Sequence, residues 1–369
     1  MKRVVALTAP LLGALLACAP CAAQRSTTSE SRMVEQHDGY RMEVRMRGPV
    51  EVNEAGDWVE SIGPGGRLIV EESGRGPDRR AEFTRGADGG VQVAYVVDGR
   101  TRAMDAAGRE WARGMVLRAV REGGLGAERR VARLRSRGGV PAVLREIGMI
   151  RGDSGKRLYF NALLGGSPLS DGEMRSTLAA VGRELRSDTE RRLVLTHAIE
   201  HGASGRNMAA LLEAAGGMES DTETRLVLTS ALSGNRLDAS SRAAFFRVVD
   251  GIGSDVERRL VLTSMIRRGM DDGAVSGVAA AVGRMRSDTE RRLVLSNLLD
   301  SGLTPAQTAV ALGAVMPMRS DAEKRIVLSQ VPSAQFRDSR VNAAYRRVLD
   351  SMSSDSERSI ALRRLVNGN

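Results

Sequence analysis

Hydrophobic and polar positions follow two different rhythms along this chain. From about Gly39 the runs "YRMEVRMRG", "DWVESIG", "GRLIVEES", "RRAEFTRG" and "GVQVAYVVDG" alternate with a period near two, punctuated by Gly, Pro and Asp. Val44 and Met46, Leu68 and Val70, and Val91, Val93 and Tyr95 fall on single faces, the pattern of short antiparallel strands. "ADGG" before Val91 suits a hairpin turn, because Asp and Gly tolerate positive φ. "GPGG" at Gly63–Gly66 reads as a β-turn; no Lys-Ser/Thr follows it and no helix starts there, so the phosphate-loop alternative fails. The rhythm changes in "DAAGREWARGMVLRAVREGG", where Trp111, Met115, Leu117 and Val120 lie near one helical stripe that Gly123 and Gly124 end.

Beyond about Arg129 the chain is a repeat. "SDTERRLVLT" from Ser187 returns as "SDTETRLVLT", "SDVERRLVLT", "SDTERRLVLS", "SDAEKRIVLS" and "SDSERSIALR", with aspartates at 188, 221, 255, 288, 321 and 355. Their spacings are 33, 34, 33, 33 and 34, and an eroded copy, "GDSGKRLYFN", places Asp153 35 residues before Asp188. Ser187 predicts an N-cap and Glu190 its reciprocal capping-box partner. Asp188 would favour the positive helix end and pair with Arg192. Leu193, Val194, Leu195, Ala198 and Ile199 predict the buried face, matched by Leu260, Val261, Leu262, Met265 and Ile266. Burial dominates this consensus, since a lost core leucine costs about 2–5 kcal/mol and an exposed ion pair at most about 1.

A second helix follows in each unit. Thr304, Pro305 and Gln307 predict its start in "LTPAQTAVALGAVMPM", with Val310, Leu312 and Val315 inward; Ser170 and Glu173 start another, and Phe245, Val248 and Val249 fill a third. Pro332 predicts that the helix before it ends near Gln330. Such helix pairs bury their apolar faces only by stacking. The expected fold class is therefore α+β: a small antiparallel β-rich N-terminal domain followed by an all-α solenoid of HEAT-like α-α repeats of 33–35 residues.

The N-terminus adds a location. Lys2 and Arg3 precede an apolar Val4–Ala17 core too short to be read as a spanning helix, and small and polar residues follow; this is the layout of an export signal. "LLAC" ending at Cys18 matches a bacterial lipobox, making Cys18 a candidate lipid attachment site. Cleavage after Ala23 is the alternative. Ala19 does not carry the Asp associated with inner-membrane retention, so the outer membrane is the favoured anchor. Both cysteines, Cys18 and Cys21, lie in this segment, leaving none to cross-link the body. The expected organisation is 1–23 signal peptide, 24–38 flexible spacer, 39–103 β-rich domain, 104–136 connecting helices and 137–369 solenoid.

The net charge of +10 would raise nucleic acid in a cytoplasmic protein. Export and a 3% aromatic content argue against it. Anionic lipid, cell-wall polymer or an acidic protein face in the envelope fits better. Chemistry is scarce. His197 and His201 stand four apart beside Glu200, but "HAIEH" is not the metallopeptidase HExxH, and no third ligand suggests itself. G-x-S-x-G is absent and "GDSGK" is too short for a phosphate loop. The expectation is a non-enzymatic protein with no metal and no cofactor. Arg191, Arg192, Arg225, Arg258, Arg259, Arg291, Arg292 and Arg325 recur at equivalent heights, and stacking would align them as a basic ridge open to an anionic partner or serving solubility alone.

The "SDxExRxVL" unit resembles the helical repeat region that follows the membrane domain in some BlaR1-type metallopeptidases and occurs in related exported bacterial proteins. There the third slot is often aromatic; here it holds Thr189, Thr222, Val256, Thr289, Ala322 and Ser356. "GPVEVNEAGDWVESIGPGGRLIVEE" is similar to the small domain preceding those repeats. The resemblance implies an extracytoplasmic accessory or sensor-like module. It carries no peptidase activity over, because HExxH and the multi-helix membrane domain are missing. The leading expectation is an envelope scaffold or protein-interaction module. An envelope hydrolase or carbohydrate-processing enzyme, and a basic polyanion-binding protein, are the alternatives.

Overall fold

The computed structural model describes residues 30–74, 76–233 and 237–367. The expected signal peptide and Cys18 lie outside these residues.

Eight strands open the fold: β1 Glu30–His37, β2 Tyr40–Arg47, β3 Val50–Val52, β4 Val59–Ile62, β5 Arg67–Ser73, β6 Arg79–Arg85, β7 Val91–Val97 and β8 Arg100–Arg102. Six form an antiparallel sheet in the order β1-β2-β5-β6-β7-β8, and β3 and β4 make a separate hairpin. The first strand occupies much of the stretch expected as a spacer. Its turn, Asp38–Gly39, has φ of 45° and 74°, the backbone a tight two-residue hairpin needs. The "DG" pair was the available signal, obscured by the polar side chains around it. "ADGG" and "GPGG" do form turns: Gly90 N–H donates to Asp88 Oδ1 at 3.0 Å, and Gly66 N–H to Gly63 O at 3.0 Å.

One sheet face is apolar. Met42, Val44, Leu68, Val70, Ala81 and Phe83 are buried under Ala112, Met115, Val116, Ala119 and Val120 of helix α1, Ala106–Gly123. Trp111 and Leu117 sit half-buried at its margin. Gly124, at φ 69°, terminates α1. The other face carries alternating arginines and glutamates. On it Glu43, buried, accepts hydrogen bonds from Arg32 and Arg41, and they hold its carboxyl down at about 2.

Helix α2, Ala127–Gly148, bends at Gly138 and Gly139, which have non-helical dihedrals. From there two layers alternate. The odd layer contains α3 Asp153–Leu164, α5 Asp188–Glu200, α7 Asp221–Leu232, α9 Asp255–Ile266, α11 Asp288–Leu299, α13 Asp321–Ser329 and α15 Asp355–Asn367. The even layer contains α2, α4 Asp171–Glu184, α6 Met208–Ala215, α8 Ala239–Gly251, α10 Asp272–Gly283, α12 Pro305–Gly313 and α14 Ser339–Asp350. From α4 onward each helix packs mainly on its own layer's neighbours and less extensively on the opposite layer, whereas α2 packs chiefly on α3. The chain is thus a β domain followed by an α-solenoid, with one continuous core running from Ala127 to Leu365 and a second, separate core in the β domain. No helix among the described residues is long and apolar enough to cross a membrane.

The helix starts follow the sequence. Ser187, Ser220, Ser254, Ser287 and Ser320 are N-caps that accept from the backbone N–H of the glutamate three residues on. Full capping boxes occur at Ser170–Glu173 and Thr304–Gln307. The consensus glutamates are engaged elsewhere, as described below. Pro332 follows a helix ending at Ser329. Two packing expectations are corrected. Val194, Leu195 and Ala198 are buried, but Leu193 and Leu260 are 37% exposed and Val310 is 43% exposed. At about 100° per residue, Leu193 has already turned away from the layer that Val194 faces.

Candidate functional site: the outer face of the odd layer

Three ladders of polar contacts join consecutive repeats, and together they account for the consensus. Asp153 Oδ2 accepts from the backbone N–H of Arg186 and Ser187 at 2.7 and 2.5 Å. Asp188 does the same for Glu219 and Ser220, at 2.7 and 2.6 Å. Asp221, Asp255, Asp288 and Asp321 repeat the contact at 2.7–3.0 Å. Each aspartate therefore holds the start of the next odd helix, not Arg192 as the i+4 spacing suggested.

The second ladder uses five of the eight arginines singled out above. Arg192 pairs with Glu223, Arg225 with Glu257, Arg259 with Glu290, Arg292 with Glu323 and Arg325 with Glu357; Arg157 begins the series on Glu190. The threonine of the third slot joins in, with Thr189 Oγ1 donating to Glu223 at 3.1 Å, Thr222 to Glu257 at 3.0 Å and Thr289 to Glu323 at 3.0 Å. The hydroxyl of the third slot thus supports the glutamate of the next repeat.

The third ladder uses the remaining arginines. Arg191, Arg258 and Arg291 are 7–8% exposed, and they donate to the carbonyls of Leu185, Ile252 and Met285. These residues lie at the ends of the preceding even helices, where unpaired carbonyls and the negative helix pole attract a cation. Lys324, at the same sequence position, donates instead to Ser351 O at 2.9 Å, at the end of the following even helix α14. The eight arginines do not form an outward basic ridge. Three are buried and five are half-buried in ion pairs.

Outward, the odd layer presents an apolar column among exposed polar residues such as Thr189, Thr222, Thr289 and Asn297. The half-exposed side chains Leu193, Leu226 and Leu260 are each 37% accessible, Leu293 and Ile326 continue the column, and Ile360 at 44% ends it. Beside it runs a column of short polar residues: Asn161, Thr196, Thr229, Thr263, Ser296 and Ser329. Asn161 Oδ1, Thr229 Oγ1, Thr263 Oγ1 and Ser296 Oγ are buried atoms without a hydrogen-bond partner. Buried polar atoms are usually paired, so four orphans at one repeat position need a reason.

At its N-terminal end this face runs into a cleft of about 1000 Å³ between α2 and α3. Leu158, Asn161, Ala162 and Leu163 line it from α3, His197 from α5, and Arg129, Ala132, Arg135 and Ser136 from α2. A buried cluster fixes the α2 wall: Arg121 and Arg130 both bind Glu146, and Arg130 also donates to Ala55 O at 2.8 Å. Burial by itself would raise the Glu146 carboxyl, but the Arg121 hydrogen bonds and the Arg130 charge outweigh it and hold the group below its ordinary range. Gly56 lets Arg130 approach, since a Cβ there would stand 2.4 Å from Nη1. His197 and His201 do come together, with ring centroids 4.1 Å apart and His197 Nε2 3.3 Å from Asn161 O. Among the described residues no group of three or more His, Cys, Asp or Glu is placed to hold a metal ion.

The cleft and the half-exposed column escaped the sequence reading because both depend on which helix faces lie outward after stacking. In comparisons with known proteins the chain matches no family model, no curated protein and no solved structure.

Proposed function

We propose that this protein is an exported, non-enzymatic scaffold of the bacterial envelope, anchored through Cys18, whose odd-layer face binds a protein partner. The observation that carries the reading is the aliphatic column from Leu193 to Ile360, repeated once per unit on a surface whose neighbouring charges are already neutralised within the array. A surface held by solubility alone would place unpaired charges there; a regular apolar column between paired ions suits protein contact. The export-signal layout and the resemblance to extracytoplasmic repeat regions support the location.

The test is site-specific photo-crosslinking in intact cells, with a photoreactive residue at Leu226 and a control at Ala243 on the exposed side of the even layer. A discrete adduct from Leu226 and none from Ala243 is expected. Equal labelling from both positions would overturn the assignment of the face. Mass analysis of the mature N-terminus separately reads diacylglyceryl-Cys18 against a chain beginning at Gln24.

A further inference from the structure

We infer that the C-terminal end of the solenoid is a docking site for a helix–turn element of a partner protein, which lies across α15 as an even helix lies across the earlier odd helices. The inference concerns the end of the array and does not rest on the odd-layer face proposed above. Three observations lead there, and the earlier repeats identify the occupant.

First, α15 keeps core residues that stand open. Leu362 holds the slot of Leu195, Leu228, Leu262, Leu295 and Leu328, which are all 0% exposed, yet it is 42% exposed itself. Val366 holds the slot of Leu232, Ile266 and Leu299, each 4% exposed, and is 66% exposed. What differs at α15 is that no further helix follows it among the described residues. A solenoid that ends in water needs a polar outer face on its last unit, and Leu362 and Val366 are the opposite. The other end of the array is closed. There Glu122 of α1 accepts from the backbone N–H of Arg151 and Gly152 at 2.9 and 2.8 Å, the contact that an aspartate makes in the later repeats.

Second, two of the polar ladders stop on an open rung. The consensus aspartates from Asp153 to Asp321 each accept from two backbone N–H groups of the next repeat, whereas Asp355 accepts from none among the described residues. In the cation slot, Arg291 donates to Pro317 O, just beyond α12, at 2.8 Å, and Lys324 donates to Ser351 O, at the end of α14, at 2.9 Å. These bonds tie the start of an odd helix to the far end of the even helix that follows, so the two run antiparallel. Arg358 holds the same slot in α15. It is exposed, where Arg191, Arg258 and Arg291 are buried, and its guanidinium pairs with exposed Asp350 at 3.6 Å.

Third, the remaining ladder is cut off cleanly. Arg157, Arg192, Arg225, Arg259, Arg292 and Arg325 each reach the glutamate of the next repeat, and Ser359 stands in that slot of α15. An arginine there would leave an unpaired charge on the end face. Serine removes it and shortens the side chain that an approaching helix meets.

The occupant follows from the copies whose slots are filled. There an even helix brings its C-terminal carbonyls to the cation, and the turn after it gives two N–H groups to the aspartate. The partner element is therefore an amphipathic helix with an aliphatic stripe, followed by a turn with two free N–H groups. A second copy of this chain has no such element to give, because its even helices are already packed between neighbours in both layers.

The experiment is fluorescence anisotropy on the full chain with a labelled peptide of residues 303–320, LTPAQTAVALGAVMPMRS. It contains α12 and the turn that engages Arg291 and Asp288 within the array, and it is stapled between the exposed positions 306 and 310 to remove the cost of helix nucleation. The peptide is expected to bind saturably, about tenfold more tightly than a stapled scramble of the same composition. Leu362→Asp and Asp355→Ala should each weaken it about fivefold or more, and Leu226→Asp, on the odd-layer face, should leave it unchanged. All three positions are exposed, and far-UV circular dichroism checks that the variants fold. If the peptide binds no better than the scramble, if Leu362→Asp and Asp355→Ala bind like the parent, or if Leu226→Asp weakens binding as much as they do, the inference is overturned. Sedimentation of the full chain alone supplies the last check: a concentration-dependent dimer that Leu362→Asp abolishes would put a second copy on this end and overturn the assignment to a partner.

Discussion

Removing a single aspartate from the middle of the array tests the claim that the repeats are joined through backbone amides. In Asp255→Ala, the N–H groups of Arg286 and Ser287 lose the carboxylate oxygen they share at 2.7 Å each. Hydrogen bonds to charged groups contribute about 1.5–3 kcal/mol each, but two bonds to one oxygen are not additive, so the expected loss is about 2–3 kcal/mol. Asp255→Asn keeps an acceptor and removes the charge, which should cost about 1 kcal/mol, including its interaction with the N-terminal end of α9. Asp300→Ala, an exposed residue just past the end of α11, should stay within about 0.5 kcal/mol of the parent. Urea unfolding provides two signals at once. The chain has two tryptophans, Trp58 and Trp111, and both pack in the β-domain core, so their fluorescence reports that domain while far-UV circular dichroism is dominated by the solenoid. The Asp255 variants should move the dichroism transition and leave the fluorescence transition in place. Because each repeat touches only its neighbours, Asp255→Ala should also broaden the dichroism transition as the two halves of the array uncouple. If Asp255→Ala matches Asp300→Ala, or if the fluorescence transition is the one that moves, the amide ladder does not hold the repeats together.

The arginine–glutamate ladder predicts that Arg225→Glu loses about 1–2 kcal/mol and that adding Glu257→Arg restores most of it, with a coupling of about 1 kcal/mol in a double-mutant cycle from urea melts. Val256, 47% exposed, occupies the slot where Thr189, Thr222 and Thr289 bond to the next glutamate, so Val256→Thr should be neutral or should stabilise by up to about 0.5 kcal/mol in the same assay. Glu43 has its folded pKa lowered from 4.5 to about 2, so its contribution is complete above the unfolded value and is lost as pH falls through that window. Tryptophan fluorescence between pH 5 and about 2 should therefore show Glu43→Gln flattening the acid limb of β-domain stability; an unchanged acid limb would remove Glu43 from that account.

The period of 33–35 residues, the serine caps, the Pro332 break and the two-part architecture were all legible in the sequence. They rest on interactions within about one helical turn, or on periodicities that a single strand or helix displays by itself. The same locality misled the reading of the charges. Ser187 and Glu190 satisfy a capping-box pattern, and Asp188 and Arg192 satisfy an i+4 pair, so nothing in the local sequence demanded other partners. Only stacking brought Glu223 within reach of Arg192, 31 residues away, and set the amides of Glu219 and Ser220 over Asp188. It also decided that Leu193, identical in type to the buried Leu195, would face outward. The sequence by itself determined where the capped helices begin and what period they repeat with. The tertiary structure decided which charges meet and which apolar column stays open, because both depend on the direction of stacking between repeats, which no single repeat contains.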